Sequence, residues 1–151
     1  MDTQSKTVHG LNDLIAISRD GQTFYQEAAQ KVEDAELAAL FLRMAGVKAA
    51  IVARLGEVVH ATGGAPDTDG TLTGHLRQTY ANVRAALGDR RYAYVAELEE
   101  SEDRLLKAFD ELLADPDTPP AARDAAMALL PDVRACHDVM RSRKHALERA
   151  A

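Results

Sequence analysis

Residues 57–60 read "EVVH". A Glu followed three places later by a His, inside a helical pattern, is half of a signature that dinuclear carboxylate centres in four-helix bundles use twice. Such a centre holds two metal ions with about four carboxylates and two imidazoles, all pointing inward from the helices. The second half would have to stand on another helix at the same level. The only His in the middle of the last helical stretch is His137, and three places before it stands Arg134. "RACH" therefore sets a cation where a carboxylate ligand is needed. Whether the two halves could meet at all depends on the elements that carry them.

Four long amphipathic segments and one shorter one are legible. The first runs from about 8 to 31, with Leu11, Leu14, Ile15, Ser18, Gln22, Tyr25 and Ala29 on one face at a period near 3.6. The second runs from about 34 to 62, with Asp34 as N-cap and Leu37, Leu40, Phe41, Met44, Val47, Ile51, Leu55 and Val58 as its stripe. "GGAPDTDG" at 63–70 stops it. A shorter helix is predicted over about 72–87, closed by Gly88 and Asp89. The third long helix spans about 90–114, with Leu98, Glu102, Leu105 and Phe109 on its inner face. "ADPDTPP" is a turn, in which Thr118 reads as an N-cap with Pro119 at the first helical position. The fourth runs from about 119 to 148, with Leu129, Val133, His137 and Met140 facing inward. Long helices joined by short turns pack as antiparallel neighbours, so these make two hairpins. The stretch from 63 to 89 is long enough to travel back along the bundle as a crossover, which is favoured over a simple up-down bundle with the short helix packed at one end.

Placed on a helical wheel, Glu57 and His60 fall opposite Ile51, Leu55 and Val58, toward solvent or the crossover. In the crossover topology residue 42 lies level with residue 97 and His137, so Glu57 is about fifteen residues, or roughly 22 Å, away along the axis. "EVVH" and "RACH" cannot share a centre. A different set survives the wheel: Gln22, Tyr25, Glu102 and His137 all sit on buried stripes, and Glu99 flanks them. Tyr25 is expected close to His137, with Glu102 roughly 9 Å off that level. These groups predict one buried polar layer, satisfied by hydrogen bonds. The rival is a reduced metal site of Glu102, His137 and Glu99 holding iron, manganese or zinc. The low ligand count favours the metal-free network. In that network His137→Ala is expected to cost about 2–4 kcal/mol, and Glu102→Leu to be neutral or stabilising. Asp20, Glu27 and most of the acidic run "ELEESED" at 97–103 read as solvated surface, and Cys136 as a buried, inert thiol without a cationic neighbour.

Composition narrows the rest. The chain has 151 residues, 46% hydrophobic and 28% charged, which suits one domain over residues 1–151 with its own core. A net charge of -6 argues against nucleic acid as a partner. No targeting segment or apolar run of membrane-spanning length is read, and the one cysteine suits a reducing cytoplasm. Apolar surface left over after core filling predicts a homo-oligomer, a twofold dimer first.

"LNDLIAISRDGQTFYQEAAQKVEDAELAALFLRMA" at 11–45, "ESEDRLLKAFDELL" at 100–113 and "VRACHDVMRSR" at 133–143 resemble a bacterial ferritin-like four-helix-bundle family known as domain of unknown function 2383. The resemblance spans about 11–145 and is most specific in "LNDLI", "DG", "SED" and "CHD". It implies an all-α, ferritin-like fold with two helical hairpins joined by a long crossover, and no established activity. One departure stands out: members often carry Glu or Gln near the middle of the second helix, where this chain reads "GVK" at 46–48. The expectation is a non-enzymatic, stress-associated or interaction protein without a cofactor. The alternative is a metal-binding protein with a mononuclear or degenerate dinuclear site.

Overall fold

The computed structural model describes residues 3–66 and 73–150 of the chain. Among the described residues five helices follow one another: α1 (Thr3–Lys31), α2 (Ala35–Ala61), α3 (Thr73–Ala85), α4 (Arg90–Ala114) and α5 (Pro120–Ala150). Residues 67–70 of the expected glycine-rich stop and residue 72 of the expected short helix lie outside the described residues. The first helix begins at Thr3, about five residues before the start that its apolar stripe suggests.

Local chemistry sets the helix ends. Asp34 caps α2 by accepting a hydrogen bond from the Leu37 amide at 3.0 Å, and Asp89 caps α4 by accepting from the Arg91 amide at 2.8 Å. At the end of α2, Gly63 takes a left-handed φ of 84°. Its amide then donates to the His60 carbonyl, and that of Gly64 donates to the Val59 carbonyl, both at 3.1 Å. This paired pattern closes the last turn. A Cβ on Gly64 would lie 2.9 Å from both Val8 methyls, so only glycine lets the chain leave α2 this close to α1. Thr118 does not cap α5 as its sequence suggests. Its hydroxyl donates back to the Leu112 carbonyl at 2.7 Å, while the Arg123 guanidinium donates to the Leu113 and Asp115 carbonyls. Both satisfy carbonyls that the end of α4 leaves open, and α5 starts at Pro120.

α1 packs beside α2 and α4, and α5 beside α4 and α2. Gly10 faces Leu112 and Gly21 faces Ser101, so α1 and α4 run antiparallel. Arg143 pairs with Glu36 at one end of the α2–α5 seam. α2 and α4 are therefore parallel, and the chain must return the full length of the bundle between them. The Asn12 amide holds the Ala65 carbonyl at 3.1 Å at the start of that return. α3 then climbs the outside against α4 and α1, with Tyr80 edge-on to Phe24 at 5.5 Å and Val83 buried. The expected crossover is present.

The core has two halves. One gathers Phe24, Leu40, Phe41, Leu98 and Met140 toward the α1–α2 turn. The other gathers Leu14, Ile15, Ile51, Leu55, Leu105 and Phe109 toward the α4–α5 turn. On α2 the gap between the halves falls at residues 46–50, which include Lys48; on α4 it falls at 99–104, which include Glu102.

Candidate functional site

Lys48 is the residue that the sequence reading missed. Its side chain is 2% exposed, and its Nζ donates to Glu102 Oε2 at 2.7 Å; the Glu102 side chain is 1% exposed. The other carboxylate oxygen, Oε1, accepts the Tyr25 hydroxyl at 2.8 Å. Three helices thus contribute one group each to a closed network: α1 the phenol, α2 the ammonium, α4 the carboxylate. Burial, followed by the Glu102 charge, holds the Tyr25 phenol well above its usual range, so it stays a donor. Lys48 threads past Gly21, where a Cβ would stand 3.8 Å from its Cε.

Tyr25 and Glu102 are offset along the axis, as the sequence suggests, yet they meet. Gly21 is opposite Ser101, so the Tyr25 Cα lies several residues from the Glu102 Cα in level. Each Cα–Cβ bond leans toward its own helix N-terminus. On antiparallel helices those leans converge, and a tyrosine and a glutamate span the gap. Of the other residues expected in this layer, Gln22 is half-buried on α1. His137 is buried, but its close contacts lie elsewhere: Nε2 is 2.5 Å from Asp103 Oδ1 and 3.8 Å from Glu99 Oε1, and Nδ1 is 3.3 Å from Asp138 Oδ1. The structure therefore sorts the expected set into two groups. Tyr25 and Glu102 join Lys48 in the interior. Glu99 and His137 join Asp103 on the α4–α5 seam.

Other sequence readings divide in the same way. Glu57 and His60 are exposed, and Glu57 pairs with Arg54 at 3.3 Å, so "EVVH" faces solvent. Glu27 is partly exposed and pairs with Lys31 at 3.1 Å. Asp20 corrects the expectation: it is 7% exposed, not solvated. Its charge acts on Arg104 of α4 and Tyr80 of α3, so helix packing, not the α1 stripe, buries it.

Cys136 is buried beside this layer, with Lys48 as a cationic neighbour that the wheel did not foresee. Burial still dominates: it pushes the thiol up to about 11, against the pull of Lys48, and the Glu102 charge adds to the rise. The proton is held more tightly in the folded chain than in the unfolded one. Its contribution is therefore complete below about pH 9 and is lost as pH rises toward 11. Urea unfolding should show a loss of about 2 kcal/mol across that window. Cys136→Ala should flatten the first part of the decline. The rise in the Tyr25 phenol should keep the later part in both proteins.

A dinuclear carboxylate centre needs carboxylates from all four bundle helices and two inward imidazoles. The interior layer offers one carboxylate, and an ammonium already neutralises it. The donor set does not fit such a centre. Within the described residues the one carboxylate–imidazole group whose ligand atoms converge is Glu99, Asp103 and His137, all within 4.8 Å of one another. Asp103 escaped the sequence reading because it sits in an acidic run. Its spacing of four from Glu99 was the available signal.

Comparison with known proteins agrees with this architecture. None of the curated proteins matches the chain. A crystal structure from Bacillus anthracis str. Ames, described as a ferritin-like, diiron-carboxylate protein, matches with a TM-score of 0.65 over 99% of this chain and 98% of that one, at 16% identity. Residues 6–115, well over half of the sequence, match the family described as domain of unknown function DUF2383, and the chain belongs to that family.

Proposed function

We propose that this chain is a non-enzymatic ferritin-like bundle, an interaction or stress-accessory protein whose interior has exchanged metal for a lysine. One observation carries the reading: the Lys48 ammonium lies 2.7 Å from Glu102, both nearly fully buried, in the polar layer between the two core halves. A fixed internal cation satisfies the carboxylate and opposes entry of a second cation by charge and by volume. The Bacillus anthracis neighbour is described as a diiron-carboxylate protein; this chain shares its fold at 16% identity, and its own interior layer sets a lysine against the carboxylate. The rival, a reduced metal site of Glu102, Glu99 and His137, requires three donors to converge. Glu102 is engaged by Tyr25 and Lys48 instead.

A cytoplasmic place and self-association as a dimer complete the proposal. Among the described residues no helix is long and apolar enough to cross a membrane. Leu42, Leu87 and Met127 are exposed apolar side chains available to such a contact. The test is iron. Protein produced in iron-rich medium without chelators should carry no iron pair, and ferrous iron added under air should oxidise no faster than in buffer. Two irons per chain with accelerated oxidation would refute the reading.

A further inference from the structure

The α4–α5 seam carries a polar group separate from the interior layer. Glu99 and Asp103 stand one turn apart on α4, so both side chains share a face. His137 projects from α5 toward them, with Nε2 2.5 Å from Asp103 and 3.8 Å from Glu99. Exposure is graded across the group. The imidazole and Glu99 side chains are 10% and 14% exposed, whereas Asp103 is 54% exposed and forms the open edge. On the far side of the ring, Asp138 lies 3.3 Å from Nδ1. A carboxylate there orients the ring and leaves Nε2 as the ligand atom, the outer-shell arrangement that metal-binding histidines use.

We propose that Glu99, Asp103 and His137 form a mononuclear site for a divalent first-row transition ion of the zinc class, clipping α4 to α5. Tetrahedral coordination at about 2.0–2.1 Å places donor atoms about 3.3 Å apart. Relative to Nε2, Asp103 would withdraw by less than about 1 Å and Glu99 advance by roughly half that, while the two carboxylate oxygens, within 4.8 Å of each other, close by up to about 1.5 Å, movements within reach of side-chain torsions. The imidazole–carboxylate contact is thereby replaced by coordination, and the fourth position opens to water beside Asp103. One imidazole and two carboxylates suit zinc, manganese or ferrous iron rather than soft ions. The nearby thiol of Cys136 is not part of the set: it is buried, with Lys48 and Glu102 acting on it. Lys144 competes weakly, since its Nζ is 3.9 Å from the other oxygen of Glu99 and its side chain is 30% exposed. This site is independent of the interior reading, because none of its ligands belongs to the Tyr25–Lys48–Glu102 network.

The test uses the full chain, stripped with chelator and dialysed, titrated with zinc by calorimetry and with cobalt by visible absorption. One zinc per chain should bind and raise the melting temperature. Asp103→Asn and Glu99→Gln should each weaken binding by about tenfold or more, one of three protein ligands being lost. His137→Gln should remove the cobalt absorption bands. A chain carrying Glu57→Gln and His60→Gln should bind as wild type does. Should His137→Gln fail to fold, the open-edge variant Asp103→Asn decides alone. Zinc bound equally by wild type and Asp103→Asn, zinc lost with the Glu57 and His60 changes, or no zinc bound by wild type would each overturn the site.

Discussion

Lys48→Ala should destabilise the bundle by about 3–5 kcal/mol, read as a lowered urea midpoint. The loss comes less from the missing attraction than from what remains. Glu102 is 1% exposed and keeps only the Tyr25 hydroxyl, so its carboxylate is left charged without a counter-ion or must take up a proton. Glu102→Leu, harmless on the sequence reading, should now be costly for the mirror reason: it strands the ammonium of Lys48, which is 2% exposed. Removing both charges reverses the outcome. Lys48→Met combined with Glu102→Leu and Tyr25→Phe leaves no unsatisfied partner in this network. That triple variant should approach or exceed wild-type stability, as apolar replacement of buried ion pairs can. The cycle should therefore be strongly non-additive. Additive losses from the Lys48 and Glu102 substitutions would mean that the pair does not form.

The contrast between these residues shows where the sequence is informative. Helix ends follow from local chemistry, and Asp34, Gly63 and Asp89 act close to where their types suggest. Helix lengths give the two hairpins, and the length of the 63–89 stretch favours a crossover over an up-down bundle; the antiparallel α1–α4 packing decides it. Side-chain placement on α2 needed more. Choosing apolar types picks out Met44, Val47 and Val58, which are only half-buried. The buried positions Phe41, Ala45, Lys48, Val52, Leu55 and Val59 alternate in steps of four and three. That spacing passes directly through Lys48, but a lysine reads as surface when residue type is weighed before period. The "GVK" departure from the family pattern pointed to the same place. Asp20, and the partner that the Glu99–Asp103 spacing would meet, were illegible for another reason. Their surroundings depend on how α3 and α4 pack on α1, and on the α4–α5 register, which no single helix encodes.

Lys48→Glu tests the interior most severely, because it reverses the one positive charge in the Tyr25–Lys48–Glu102 network. Two carboxylates would then face each other inside the bundle, and like charges at that range cannot both ionise. The pair would retain a proton at pH values where unfolded glutamate, near 4.3, has lost it. The folded-state pKa is raised, so the sign is fixed: stability is greatest in acid and falls as pH rises through the pair's titration. At pH 8 without metal the variant should lose at least as much stability as Lys48→Ala. The same change assembles a donor set of two carboxylates, the Tyr25 phenol and the Cys136 thiol, with the ammonium gone. Divalent zinc or cobalt should then restore much of the stability, since metal binding to the folded chain alone shifts the equilibrium toward it. Performing the experiment with Asp103→Asn also present removes the seam as the source of any rescue. Cobalt bound in the interior should show thiolate charge-transfer absorption that Cys136→Ala abolishes. A Lys48→Glu protein as stable at pH 8 as wild type, and indifferent to metal, would mean that solvent reaches this layer and that the lysine does not hold a metal's place.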